Sequence, residues 1–199
     1  LFLLILCIAL ACGFGSLLFR HRVVRSELEM SRREQGFLTV VDPNAVAIIE
    51  VPTNELDVWR WRIFVPAGTR VDLGIQTQNI PASGAPEPSV TGVFLKSSPN
   101  GTLVTASIKK SIKDGYDLIL DLGDGSRSNV REDKDLNLWY DGGCEWTVAG
   151  RGGTETIKLG ETIILVKKRL MEQVSPASSR VPTGLSRGYM FWIRPHKEP

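Results

Sequence analysis

The densest group of side chains that could do chemistry is an acidic loop in the middle of the chain. Asp121-Leu122-Gly123-Asp124-Gly125 contains two carboxylates, and two more follow at Asp133 and Asp135. A calcium ion requires several oxygen ligands that converge on one point, and these four aspartates could supply them. The spacing differs from the D-x-[DN]-x-[DN]-G calcium pattern, and nearby basic residues offset much of the charge. The loop therefore predicts either a cation site or a solvated turn, since Asp-Gly is a common turn sequence.

A second candidate site is the aromatic pair Trp139 and Tyr140, which lies beside the turn Asp141-Gly142-Gly143. An exposed aromatic pair could stack against sugar rings, so it is a candidate site for binding a carbohydrate or an envelope polymer. The alternative is that both rings pack in the core or at its rim, as most tryptophans of β domains do.

Residue types that nucleophilic catalysis and metal binding need are scarce. The chain has two histidines, His21 beside the apolar N-terminal segment and His196 near the C-terminus. A Ser-His-Asp, Cys-His or histidine-based metal site would depend on His196 in a C-terminal tail. Cys144 is the single cysteine outside the apolar segment, which excludes a disulfide within the rest of the chain. We predict no cofactor, and a hydrolase that uses Asp or Glu is the enzymatic alternative.

The N-terminal segment is predicted to cross a membrane. The residues from Leu1 to Phe19 carry no charge. A helix of this length is roughly 28 Å long, close to the ~30 Å hydrocarbon core of a bilayer. We therefore expect a single-pass anchor over residues 1–19 in the cell membrane. Two alternatives stay open: a secretory signal cleaved near Ala11, and a lipoprotein signal modified at Cys12. Small residues four apart would also allow two anchors to associate.

The basic excess of the chain lies next to this anchor. Arg20, Arg22 and Arg25 begin a predicted helix over residues 20–36 and are expected to contact anionic lipid headgroups. Five of the 24 basic residues and three of the 22 acidic ones precede Gly36, which leaves the remainder with equal numbers of each. A neutral domain is not expected to bind nucleic acid. The positive-inside rule would place the domain in the cytoplasm, but it compares two flanks and the sequence shows one, so the orientation stays open.

From residue 37 onward the apolar pattern has a period of two. Several short alternating segments separated by turn sequences predict a mainly β fold, an antiparallel β-sandwich or barrel-like domain over residues 37–199. Trp59 and Trp61 alternate with arginines, which indicates that the tryptophans face a core. A proline- and serine-rich stretch predicts a long loop over residues 170–188.

Two hairpins are predicted from the turn sequences. The first pairs Val58–Val65 with the strand that begins at Val71, across Pro66-Ala67-Gly68. The second pairs Val90–Lys96 with Leu103–Lys109, across Ser98-Pro99-Asn100-Gly101. A final strand is predicted over residues 189–194.

Three stretches carry a resemblance to a known group of proteins: the apolar segment that ends at Arg20-His21-Arg22, the run from Trp59 to Pro66, and the run from Gly188 to Pro195. With them the chain resembles uncharacterised bacterial single-pass membrane proteins that have an N-terminal anchor and a β-rich domain. The resemblance implies no activity and no binding residue. The function expected from the sequence is therefore a membrane-anchored binding or structural module, whose partner would be another protein or an envelope polymer.

Overall fold

A computed structural model describes residues 14–15, 17–27, 36–84, 91–111, 115–132, 144–170 and 184–197. The described residues up to 27 are helical, and the elements that follow are strands. The predicted mainly β, antiparallel fold is therefore confirmed. No helix within the described ranges is long and apolar enough to cross a membrane. Residues 1–13, which make up most of the predicted anchor, lie outside those ranges.

Thirteen strands lie in the described ranges. They are β1 (Val46–Val51), β2 (Val58–Val65), β3 (Thr69–Thr77), β4 (Ile80–Pro81), β5 (Thr91–Leu95), β6 (Ser98–Lys110), β7 (Tyr116–Asp121), β8 (Arg127–Glu132), β9 (Cys144–Val148), β10 (Glu155–Ile157), β11 (Ile163–Leu170), β12 (Leu185–Ser186) and β13 (Gly188–Lys197). Within the described ranges they form a six-stranded sheet in the order β10-β1-β2-β6-β7-β8 and a five-stranded sheet in the order β5-β3-β13-β11-β9. A short third sheet pairs β12 with β4.

The inward residues of the two larger sheets share one hydrophobic core. In β2, Trp59, Trp61, Ile63 and Val65 are buried and alternate with partly exposed residues. They pack in the same cluster as Val71, Leu73 and Ile75 of β3 and the inward residues of β13, which come from the other sheet. Alternating strands place every second side chain on one face, so two such faces can bury each other. We call the unit formed by these sheets the two-sheet domain.

Trp61 ties the core to a neighbouring turn. Its ring is fully buried, and its Nε1–H donates a hydrogen bond to the carbonyl oxygen of Ala149 at 3.1 Å. A buried indole N–H needs an acceptor, because an unpaired buried donor costs about 1–3 kcal/mol. The next residue, Gly150, has a φ of +74°, and a Cβ atom there would lie 2.6 Å from the backbone nitrogen of Glu50. The turn therefore packs closely against β1.

The two predicted hairpins are wrong in their pairing. β2 pairs with β1 and β6 in the six-stranded sheet, whereas β3 belongs to the five-stranded sheet. The turn at Pro66 does exist, and the Thr69 N–H donates to the Pro66 carbonyl at 3.3 Å. It carries the chain from one sheet to the other, which allows the apolar faces of β2 and β3 to cover each other instead of lying side by side.

β5 and β6, which were predicted to form the second hairpin, also lie in different sheets. β5 pairs with β3, and β6 pairs with β2 and β7. The sequence Ser98-Pro99-Asn100-Gly101, predicted to be a turn, lies inside β6. Its Gly101 has a φ of +74°, and the register with β2 shifts between Ile63 and Val65. A register shift of this kind can accommodate a glycine with positive φ inside a strand, so the chain does not need to reverse there.

A second, smaller core lies on the outer side of the five-stranded sheet. Ile80, Met190 and Trp192 are buried together there, against partly buried Ile164. A Cβ atom on Gly74 would collide with the indole ring of Trp192. Glycine at this position therefore leaves the space that the ring occupies. β13 is apolar on both faces because it lies between the two cores.

Candidate functional site

The two described aspartates of the acidic loop shape the turn between β7 and β8. An oxygen (Oδ1) of Asp121 accepts the Gly123 N–H at 2.8 Å, and Oδ1 of Asp124 accepts the Ser126 N–H at 2.8 Å. The Leu122 N–H closes the turn on the carbonyl oxygen of Ser126 at 3.0 Å. Aspartates that bond backbone two residues ahead are typical of turns. Both carboxylates therefore have a structural role in the turn.

The predicted cation site is described in part. Asp133 and Asp135 lie outside the described residues, as do Trp139 and Tyr140 of the predicted aromatic site. Within the part of the chain that the structure describes, no group of three or more His, Cys, Asp or Glu side chains could hold a metal ion. The four-aspartate cation site and the Trp139–Tyr140 binding site therefore stay predictions.

The N-terminal helix presents both charged and apolar side chains to solvent. Arg20, Arg22 and Arg25 are exposed on it, in the positions predicted to flank a membrane. Phe14 and Leu17 are 65% and 67% exposed, and four further large apolar residues of the helix are also exposed. Those four are Leu18, Phe19, Val23 and Val24. The apolar surface of this helix is not part of either core of the two-sheet domain.

A hollow of about 590 Å³ lies where β5, β6 and the β7–β8 turn meet. This volume is within the range of small-molecule sites, about 300–1,000 Å³. Phe94 lies in β5, Lys96 follows that strand, Thr102 belongs to β6, and Asp124 and Ser126 come from the turn. The turn is held against β6, since a Cβ atom on Gly123 would be 3.2 Å from the carbonyl oxygen of Leu103.

Phe94 is the aromatic ring at this hollow. Its side chain points away from the core, because Leu95 beside it is buried, and Phe94 itself is 44% exposed. The guanidinium carbon of Arg70 lies 4.4 Å from the centre of the ring, and the Lys96 nitrogen lies 5.9 Å from it. A cation at these distances is attracted to the electron-rich face of the ring.

Arg70 is itself held in place by its neighbours. Its Nε donates to Oδ1 of Asp72 at 2.9 Å, and the other oxygen of Asp72 lies 3.6 Å from Nε2 of His196. His196 is therefore not in a C-terminal tail: β13 extends to Lys197, three residues beyond the predicted end of the strand. The group on β3 and β13 fixes one side of the Phe94 ring and leaves the hollow on β5 open.

Asp124 contributes a negative charge to the hollow. The N–H and the hydroxyl of Ser126 both donate to its carboxylate and hold the pKa of Asp124 below its usual range. Hydrogen bonds to the charged form of a carboxyl favour that form. The carboxylate is therefore ionised at neutral pH. Lys96, whose nitrogen lies near the Phe94 ring, supplies a positive charge, so the side chains that line the hollow carry one charge of each sign.

The outward face of the six-stranded sheet offers a second, shallower hollow of about 330 Å³. Arg60, Thr105, Asp121 and Arg127 are successive cross-strand partners on this face. Opposite charges on adjacent strands stabilise a sheet by roughly 0.2–1 kcal/mol a pair. Arg60 also bonds Glu55 at 2.6 Å. This charge pattern is sufficiently explained as a solvated sheet face that does not stack against another sheet.

One end of the domain combines buried charge with left-handed backbone. Asp57, Gln78 and Asn79 have φ values of +60°, +62° and +49°. Nε2 of Gln78 donates to buried Glu132 at 2.8 Å. Burial raises the pKa of Asp57, and the positive charge of buried Lys168 opposes that rise. Left-handed backbone at residues other than glycine costs of order 1 kcal/mol and persists where neighbouring bonds fix it.

Phe94 is a candidate site residue that was not predicted from the sequence. The signal was present, since the alternation of Val93 and Leu95 toward the core places Phe94 on the polar side of its strand. A large aromatic side chain on a solvent-facing position is informative, because most such rings are buried. Asp124 was identified, but as a metal ligand rather than as one wall of a hollow.

No family model, no curated protein and no solved structure matches this chain. The resemblance to bacterial single-pass membrane proteins stays a prediction.

Proposed function

We propose that the chain is a membrane-tethered binding module, in which the N-terminal segment holds the two-sheet domain at the bilayer surface. The observation that carries this proposal is the exposed apolar helix. Phe14, Leu17 and their neighbours are the largest contiguous group of exposed apolar side chains along the described chain. An apolar surface of this kind marks contact with a membrane or a partner.

The two cores of the domain support the separation of tether and module. Both are formed by residues from Val46 onward, and none of their members belongs to the helix. The described residues of the helix are therefore outside both cores, and their apolar side chains are exposed. Arg20, Arg22 and Arg25 follow at the point where a membrane segment would reach the anionic headgroups.

The tether is tested by carbonate extraction of membranes that contain the full-length chain. We expect the native chain to stay in the membrane pellet. The double variant Phe14→Asp/Leu17→Asp should pass largely into the supernatant, because each Asp costs about 2.5–3.5 kcal/mol at the centre of a membrane helix and less near its end. Leu56→Asp is the matched control, since Leu56 is 92% exposed on the domain. Release of the native chain by carbonate would contradict the tether.

The binding role rests on the hollow beside Phe94, since the described chain there brings an exposed ring, hydroxyls and both signs of charge together. A binding role through Trp139 and Tyr140 and a carboxylate-dependent hydrolase both stay predictions.

A further inference from the structure

We infer that the hollow beside Phe94 binds a neutral oligosaccharide. This inference deepens the proposed binding role and rests on it. The hollow is formed by three segments that the fold brings together: the end of β5, the start of β6 and the β7–β8 turn. A preformed concave site with a few placed polar groups is the usual form of a small-ligand site.

The ring of Phe94 supplies a stacking surface. The faces of an aromatic ring carry partial negative charge, so they attract the weakly positive C–H groups of a sugar ring. The guanidinium carbon of Arg70 lies 4.4 Å from the ring centre and the Lys96 nitrogen 5.9 Å from it, while the residue Phe94 as a whole is 44% exposed. An immobilised ring loses little side-chain entropy when a ligand binds, which favours affinity.

The polar side chains that line the hollow form its polar wall and supply hydrogen bonds of both kinds. The ionised carboxylate of Asp124 can accept from ligand hydroxyls, while the ammonium of Lys96 can only donate. Ser98, Thr102 and Ser126 add hydroxyl groups, which donate and accept. A sugar hydroxyl also donates and accepts, so a polyol can satisfy this wall more completely than an ion of either sign.

The charges at the hollow argue for a neutral ligand. One lysine and one aspartate line it, so an acidic sugar would meet Asp124 and a basic ligand would meet Lys96. A peptide ligand gains much of its affinity from main-chain bonds to a strand edge or from apolar pockets. The hydroxyl-rich wall of this hollow suits sugar hydroxyls better.

The test is a glycan array that carries neutral and acidic oligosaccharides, probed with the detergent-solubilised full-length chain. Titration calorimetry then measures the dissociation constant for the neutral oligosaccharide that binds best on the array. We expect Phe94→Ala to weaken this binding about tenfold or more, and Phe94→Trp to retain it, because Trp restores the ring. Asp124→Asn should weaken it about two- to tenfold, the effect of losing one charged acceptor.

Two control variants separate the hollow from general surface effects. Phe37→Ala removes an exposed ring elsewhere on the chain, and Asp42→Asn changes another turn aspartate, which accepts the Asn44 N–H at 2.9 Å. Both should bind as the native chain does. If Phe94→Ala lowers the thermal unfolding midpoint, its weaker binding could reflect a loss of folding. The effect of Asp124→Asn on glycan binding then decides whether the hollow is the binding site.

Three results would overturn the inference: no neutral glycan bound, acidic glycans bound in preference, or binding unchanged in both Phe94→Ala and Asp124→Asn. These results concern the hollow alone, because the assay is done in detergent and does not require the tether. Failure of the tether would be seen separately, in carbonate extraction.

Discussion

At the scale of single residues, the partial burial of Glu50 makes the free energy of unfolding depend on pH. Glu50 lies in β1 and pairs with Trp61 of β2, on the core side of the sheet. Burial raises the pKa of Glu50 above its ordinary 4.5, and the Arg151 guanidinium at 3.7 Å opposes the rise. A carboxyl whose pKa is raised on folding destabilises the folded state at pH values where it is ionised.

The sign of this effect gives a prediction. The destabilisation by ionised Glu50 is fully present above the pKa that this group has in the folded state. It disappears as the pH falls below the pKa in the unfolded chain, near 4.5. We therefore expect Glu50→Gln to raise the free energy of unfolding at pH 7 and to leave it nearly unchanged at pH 4. Urea unfolding of the full-length chain at both pH values measures this. Glu55→Gln is the control, since Glu55 forms an exposed pair with Arg60 and should change stability by less than about 1 kcal/mol. A Glu50→Gln variant that is less stable at pH 7 would contradict the argument.

Residue types pointed to Asp124, but as a ligand of a cation site that stays a prediction, and they did not point to Phe94. Asp124 was found because carboxylates beside glycines are conspicuous, and its turn bond to Ser126 follows from local sequence. Phe94 was missed because its role depends on Arg70 and on the turn, which approach it only through the fold. Sequence spacing gives no information about such contacts between distant segments.

At the scale of elements, the period of two in the apolar pattern correctly predicted which face of a strand is buried. It did not predict which strands pair with each other. Trp59 and Trp61 were predicted to face the core, and both are buried. Alternation reports which side of a strand is buried, and this is the same whether the next strand lies beside it or above it. The short Pro66 turn is compatible with both. The structure takes the second arrangement because the apolar faces of β2 and β3 then cover each other.

The packing of β3 against β13 gives a prediction for an element. Gly74 pairs with Trp192, whose ring occupies the space where a Cβ atom would lie. Gly74→Ala should therefore displace the ring, disturb the small outer core and lower the free energy of unfolding by about 1–3 kcal/mol. Urea unfolding measures the loss, and the near-ultraviolet circular dichroism should change because a tryptophan moves.

Gly152→Ala is the matched control for this substitution. A Cβ atom on Gly152 would have nothing within 4 Å, and the backbone there does not require glycine. This variant should stay within about 0.5 kcal/mol of the native chain. Equal stability of the two alanine variants would show that Trp192 does not depend on the space at Gly74.

At the scale of the whole molecule, charge and apolar surface are divided between two parts of the chain. The part from Gly36 onward has equal numbers of acidic and basic residues, so the net charge of +2 belongs to the segment before it. That segment also carries the exposed apolar side chains of the helix. A neutral domain has no general attraction to anionic surfaces. Contact with anionic lipid is therefore expected from the arginines that precede Gly36.

The arginine flank predicts a directional effect on membrane topology. Cytoplasmic flanks of membrane helices are enriched in Lys and Arg, so the five arginines before Gly36 favour a cytoplasmic domain. Replacing all five with Gln should lower the fraction of chains whose domain is protected from protease in intact cells and digested after lysis. Replacing them with Lys should leave that fraction unchanged, because the rule depends on positive charge and not on the guanidinium group. The same fraction in the Gln, Lys and native chains would contradict the prediction. The comparison of the Gln and Lys variants therefore separates the effect of positive charge from the effect of the arginine side chain itself.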